Sequence, residues 1–254
     1  MRGVLVQPVS SRPVPALSFV VPAYNEAQLL GSTLIAIEQA ARALPLTFEI
    51  IVVDDASRDR TPEVARAHGA RVVPVNFRQI AATRNAGARE ARGEWLVFVD
   101  ADTKISAEVL QDATAALRGG AVGGGCGLRF DGRVPRYGRV LIALVLPVYR
   151  ALGLAAGCFL FCTRQAFEAV GGFDESLFAA EEAVLSRALR RRGRFVMLSS
   201  AVLTSARKLR AHSPREVMGT LLRLAFTGPR AVRRRDGLEL WYGQRRADPE
   251  GHDK

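Results

Sequence analysis

Residues 94–106 read EWLVFVDADTKIS. An apolar run, Trp95 to Val99, stops on Asp100, and a second carboxylate, Asp102, follows at once. This is how a buried strand ends at a polar rim. Two residues apart on a strand, the acids would stand about 6.6 Å from each other and repel by roughly 2.5 kcal/mol at an effective dielectric near 20. A divalent cation removes that penalty, and hard oxygen ligands favour Mg2+ or Mn2+ with waters and a substrate diphosphate completing the shell. Two solvated loop carboxylates are the plainer alternative, because a D-x-D triplet is common.

Outward from this stretch the pattern repeats. Three earlier apolar runs, LSFVVPA (17–23), FEIIVVDD (48–55) and ARVVPVN (70–76), alternate with the helical segments EAQLLGSTLIAIEQAARAL (26–44), TPEVARAHG (61–69) and QIAATRNAGAREARG (79–93). The alternation predicts an α/β domain, a mainly parallel sheet with helices on both faces. Pro62 is placed for a first helical turn, and Gly93 for a C-cap. Ligands of such sheets sit beyond the carboxyl ends of the strands. The polar ends PAYNE, DDASRD, NFRQ and DADT are therefore the candidate site. A glycine-rich stretch, RGGAVGGGCGLRF (118–130), suits a strand with close backbone approaches.

The chain has 254 residues, 48% of them hydrophobic, enough for a full core. The expected organisation is a flexible arm over 1–16, one domain over 17–213, a basic helical extension over 214–246 and a disordered tail over 247–254. A net charge of +11 asks for an anionic partner: a phosphorylated substrate, a membrane surface or nucleic acid. No nucleic-acid module or interleaving of aromatics with basic residues is present, so nucleic acid is not expected. Three cysteines, Cys126, Cys158 and Cys162, argue for a reducing, cytoplasmic setting and for core packing, with Cys158 and Cys162 on one strand face. VLIALVLPVYRALGLAAGCFLF (140–161) is interrupted by Pro147 and Arg150, and predicts an amphipathic or interfacial helix leading into a buried strand.

An apolar strand ending in D-x-D fits two chemistries. VFVDADT matches the opening motif of haloacid-dehalogenase-like phosphatases, but there the motif lies on the first strand, and a late acidic motif is needed that nothing after Met197 supplies. The ordered set VVPAYNE (20–26), VVDDASRDRT (52–61), ATRNAGAREARGEWLVFVDAD (82–102) and VGGFDE (170–175) with a following Glu-Glu instead resembles family 2 glycosyltransferases over roughly residues 17–195.

That resemblance implies a GT-A fold with a Rossmann-like nucleotide-binding half, a nucleotide-sugar donor and a divalent metal. Pro22, Ala23, Tyr24 and Glu26 would line the nucleotide pocket, Asp55 beside Asp54 would meet the base, and Arg84 would stand near the donor. Asp100 would bound the ribose and sugar, and Asp102 would hold the metal. Arg207 and Lys208 belong to a basic loop of the kind that folds over the diphosphate, and His212 is a further ligand candidate. Inverting members carry an acidic pair, usually Glu-Asp, as the base; here it is Glu181-Glu182. With Leu185 and Leu189 inward, Glu182 is the expected base and Glu181 should point about 100° away. A catalytically silent nucleotide-sugar-binding protein is the alternative that Glu-Glu raises. The Gln-x-x-Arg-Trp motif of processive synthases is absent, which favours transfer of a single sugar. The 140–161 stretch and SPREVMGTLLRLAFTGPRAVRRR (213–235) together suit a lipid-linked acceptor and a peripheral position on the inner face of a membrane.

Overall fold

The computed structural model describes residues 14–227, 232–243, Arg246 and Asp248. The first thirteen residues of the expected arm, and the expected tail apart from Asp248, lie outside the described residues. Asp248 accepts a bidentate pair of hydrogen bonds from Arg210, at 2.8 and 2.5 Å.

Eight strands form one sheet: β1 (Leu17–Ala23), β2 (Phe48–Asp55), β3 (Arg71–Val75), β4 (Trp95–Val99), β5 (Thr103–Lys104), β6 (Gly123–Asp131), β7 (Phe159–Thr163) and β8 (Phe195–Ser205), in the order β3-β2-β1-β4-β7-β6-β8-β5. The helices are α1 (Ala27–Arg42), α2 (Thr61–Ala67), α3 (Ile80–Glu90), α4 (Ala107–Arg118), α5 (Arg136–Ala151), α6 (Arg164–Ala169), α7 (Glu181–Arg190), α8 (Arg207–Ala211), α9 (Pro214–Thr227) and α10 (Glu239–Tyr242). β1 to β4 pair in parallel, as expected, and β6 pairs in parallel with β8. β7 runs antiparallel to both β4 and β6. The sheet changes polarity beside the D-x-D strand.

Alternation along β1 explains the two cores. Leu17, Phe19 and Val21 pack on one side with Leu30, Leu34 and Ile37 of α1 and Val109 and Leu110 of α4. Val20 packs on the other with Ile51, Val53 and the small residues of α3, Ala81, Ala86 and Ala88. Both faces are covered, hence the continuous apolar runs. α3 lies close because Gly87 has no side chain: a Cβ there would stand 2.4 Å from Val20 Cγ1 and 2.7 Å from Val53 Cγ2.

Two local expectations are corrected. Gly93 is not the cap of α3, which ends at Ala91 in extended backbone. Its task is close approach to β1, where a Cβ would lie 2.8 Å from the Leu17 carbonyl carbon. Cys158 and Cys162 do not share a face, because the strand begins only at Phe159. Cys158 joins Cys126 in the first core and Cys162 lies in the second. The stretch from 140 resolves into α5 and then the buried β7, as its pattern predicts. Among the described residues no helix is long and apolar enough to cross a membrane.

Candidate active site

The carboxyl ends of β1, β2 and β4 open onto one cleft. Pro22, Ala23, Tyr24, Glu26, Asp55, Asp100, Asp102 and Lys208 line it. The D-A-D turn is fixed on three sides: Asp100 N–H donates to the Cys158 carbonyl, Thr33 Oγ1 to that of Ala101, and Ser205 N–H to that of Asp102. Backbone positions thus aim the two acids without using their carboxylates.

The Asp102 carboxylate accepts no hydrogen bond from any described residue. Burial pushes its carboxyl up to about 6, against the pull of Lys208 and with the charges of Asp100 and Glu26 adding to the rise. A half-buried carboxylate short of positive charge, next to a second carboxylate, fits a hard divalent cation. Among the described residues no group of three His, Cys, Asp or Glu side chains could hold a metal unaided, so further ligands would have to come from substrate and water. His212 does not join the acids; its Nδ1 lies 3.0 Å from the Lys208 carbonyl oxygen at the end of α8.

Arg84 is the hub on the other side. It is 3% exposed, and Nη1 donates to Glu181 Oε1 at 2.7 Å while Nη2 donates to Asp100 Oδ1 and to the Gly157 carbonyl, each at 2.8 Å. The carboxylates raise its pKa still further against burial, so the guanidinium is a permanent charge. The helix phase differs from expectation. Glu181, Leu185 and Leu189 are the buried line of α7, spaced i, i+4, i+8, and Glu181 points inward to Arg84 rather than away. Glu182 is half-buried on the edge of that line. It stands near Gly157, where a Cβ would be 3.5 Å from Glu182 Cδ and 3.4 Å from Arg84 Nη2. Burial, then the charge of Glu181, pushes Glu182 up to about 8, with Arg84 opposing.

Three more expected residues are differently employed. Asp55 accepts from the backbone N–H groups of Phe77, Arg78 and Gln79 and from Thr83 Oγ1. It is the anion in a nest of amides, which holds Arg78 at φ 53° with its guanidinium 3.4 Å above the Tyr24 ring. Contact between Asp55 and a base therefore requires that loop to exchange partners. Asp54 faces the opposite side of β2 from Asp55 and is not brought to the cleft; its Oδ1 is buried without a hydrogen-bond partner. Arg207 is not poised for phosphate, since its Nη2 donates to both oxygens of buried Glu26, at 2.9 and 2.8 Å. Lys208, with Arg78, does line the cleft.

The cleft also holds residues that the motifs do not reach. Trp241 and Tyr242 of α10 line it, and Ile80 N–H donates to the Tyr242 hydroxyl at 3.4 Å. Tyr242 packs edge-on against Phe178, whose N–H donates to the Val232 carbonyl at 2.6 Å. The basic extension is part of the site wall. An aromatic pair at the far end of a charged segment was the only signal.

Comparison with known proteins places this geometry. The sequence model of glycosyl transferase family 2 matches residues 18–168, more than half of the chain. The chain belongs to that family. It is 36% identical over 137 residues to a validoxylamine A glucosyltransferase of Streptomyces hygroscopicus, covering 50% of this chain and 32% of that one. It is also 36% identical over 166 residues to an undecaprenyl-phosphate 4-deoxy-4-formamido-L-arabinose transferase of Pseudomonas fluorescens, covering 60% and 48%. The matched region is thus about a third to a half of these relatives. A mannosyltransferase from Pyrobaculum calidifontis, solved with GDP-Man and Mn2+, superposes with a TM-score of 0.65 at 23% identity, over 91% of this chain and 69% of that one. The fold is GT-A.

Proposed function

We propose that the protein transfers one sugar from a nucleotide-sugar to an acceptor hydroxyl or phosphate, with inversion at the anomeric carbon. The observation that carries this is the meeting of the D-x-D turn and the acidic pair at one buried arginine. Arg84 holds Asp100 with one nitrogen and Glu181 with the other, so the acid that lines the cleft and the acidic pair behind it share one buried cation.

Each residue then has a task. Tyr24 with the stacked Arg78 supplies a flat surface for the base, and Lys208 supplies charge to the diphosphate. Asp102 and Asp100 would hold a Mn2+ or Mg2+ ion, whose chemistry when bound is to neutralise the leaving nucleoside diphosphate. Glu182 takes the acceptor proton; a carboxyl raised toward working pH is a stronger base than an ordinary one. Glu181 is its positioning partner, bound to Arg84 and holding Glu182's pKa up by its charge. Donor and metal are suggested by the complex solved for the Pyrobaculum mannosyltransferase, and a lipid-linked acceptor by the name of the Pseudomonas relatives.

The test is donor turnover by purified protein across uridine, guanosine and thymidine diphosphate sugars, with and without Mn2+. Metal-dependent turnover is expected, and Asp102→Asn should lose metal-dependent nucleotide binding by calorimetry while keeping its fold. Binding without turnover in any acceptor mixture would leave the silent binding protein as the better description.

A further inference from the structure

α5 carries an apolar face that no described element covers. Val140 is 62% exposed, Leu144 66%, Val148 55% and Leu152, just past the helix, 50%. Ala143, Pro147 and Ala151 fill the same stripe at i+3 spacings, all exposed. The face runs about 18 Å at 1.5 Å per residue, and it holds no charged side chain.

Charge is gathered at its two ends. Arg136 and Arg139 are exposed in the first turn, and Arg133 is exposed just before it. At the other end Arg190 of α7 donates to the Leu152 carbonyl at 2.5 Å, with exposed Arg187 one turn earlier. An apolar stripe between two arginine clusters matches the interface of an anionic bilayer, acyl chains under the stripe and headgroups at its ends. A protein partner would have to offer a long apolar groove with acids at both ends; a bilayer offers this everywhere.

The helix is also tied to the site. Tyr149 is half-buried, and its phenol is pushed up by burial and then by the charges of Glu182 and Glu181. The chain then turns through Leu152 and Gly153 to Gly157, whose carbonyl is held by Arg84. Its first turn is anchored too, because the Tyr137 hydroxyl donates to the carbonyls of Leu209 and His212.

We propose that α5 lies flat on an anionic membrane surface through Val140, Leu144, Val148 and Leu152, and so holds the Gly157–Arg84 side of the site toward the headgroups. This rests on the transferase reading only for its consequence, delivery of a membrane-borne acceptor; the surface itself is independent of it.

Sedimentation of the full chain with vesicles tests it. Wild type should co-sediment with mixed phosphatidylcholine–phosphatidylglycerol vesicles and far less with phosphatidylcholine alone. A Leu144→Glu/Val148→Glu double variant should partition at least tenfold more weakly, and because both positions are exposed its melting temperature and nucleotide binding should match wild type. Wild type left in the supernatant would overturn the proposal, as would a double variant that binds vesicles as wild type does. A stable dimer in solution that the double variant splits, with vesicle binding unchanged, would assign the stripe to a second copy instead. None of these readouts involves turnover, so they stand or fall apart from the proposed reaction.

Discussion

Glu182 is the base of the proposed reaction, and its acidity makes two behaviours measurable. Its folded value, about 8, lies far above the ordinary carboxylate value of 4.5. The protonated form therefore favours the fold, a contribution fully present below about pH 4.5 and lost as pH rises through 8. Glu182→Gln should accordingly melt higher than wild type at pH 9 and close to it at pH 5. Equal or lower melting at pH 9 would contradict the buried charge. In turnover the same variant should lose about a hundredfold or more with donor affinity hardly changed. Glu181→Gln removes the like charge beside Glu182, so the acid limb of its kcat/KM profile should move to lower pH. It also unpairs part of buried Arg84, at a cost of about 3 kcal/mol in urea unfolding. The pair itself was legible in the sequence, but its phase was not. Leu185 and Leu189 stand i+4 and i+8 from Glu181 but also i+3 and i+7 from Glu182, so their spacing admits either glutamate, and Arg84, 97 residues earlier, decides for Glu181.

At the scale of elements, the first four strands were legible because each is short, apolar and closed by polar residues on its carboxyl end. The second half of the sheet was not, since strand direction there depends on partners far away in sequence. The glycine run shows why. β6 lies between β7 and β8, and a Cβ on Gly124 would stand 2.2 Å from the Val196 carbonyl oxygen and 2.5 Å from Phe161 Cζ. The sequence indicated close approach, but not to which neighbours. Gly124→Ala should cost about 3 kcal/mol, read as a lower urea midpoint with unchanged slope. Gly219→Ala on α9, where a Cβ meets nothing within 4 Å, should instead stabilise by about 0.5–1 kcal/mol. Equal effects at the two sites would refute the steric account.

For the whole molecule, the order of assembly follows from the Glu26–Arg207 pair, whose members stand 181 residues apart in sequence. A chain leaving the ribosome makes β1 to β4 early, and their parallel pairings need nothing beyond residue 99. The Glu26 carboxylate, buried in the finished protein, must wait for its guanidinium until β8 has emerged, and Tyr242 arrives later still. Binding of the proposed nucleotide then waits until residues 207 and 242 have joined the site. Polypeptides stalled after residue 200 should show protease-protected N-terminal strands but no nucleotide-dependent protection, and those that extend past residue 242 should show both. A site wall closed by residues this far apart in sequence is assembled only after the sheet that carries it.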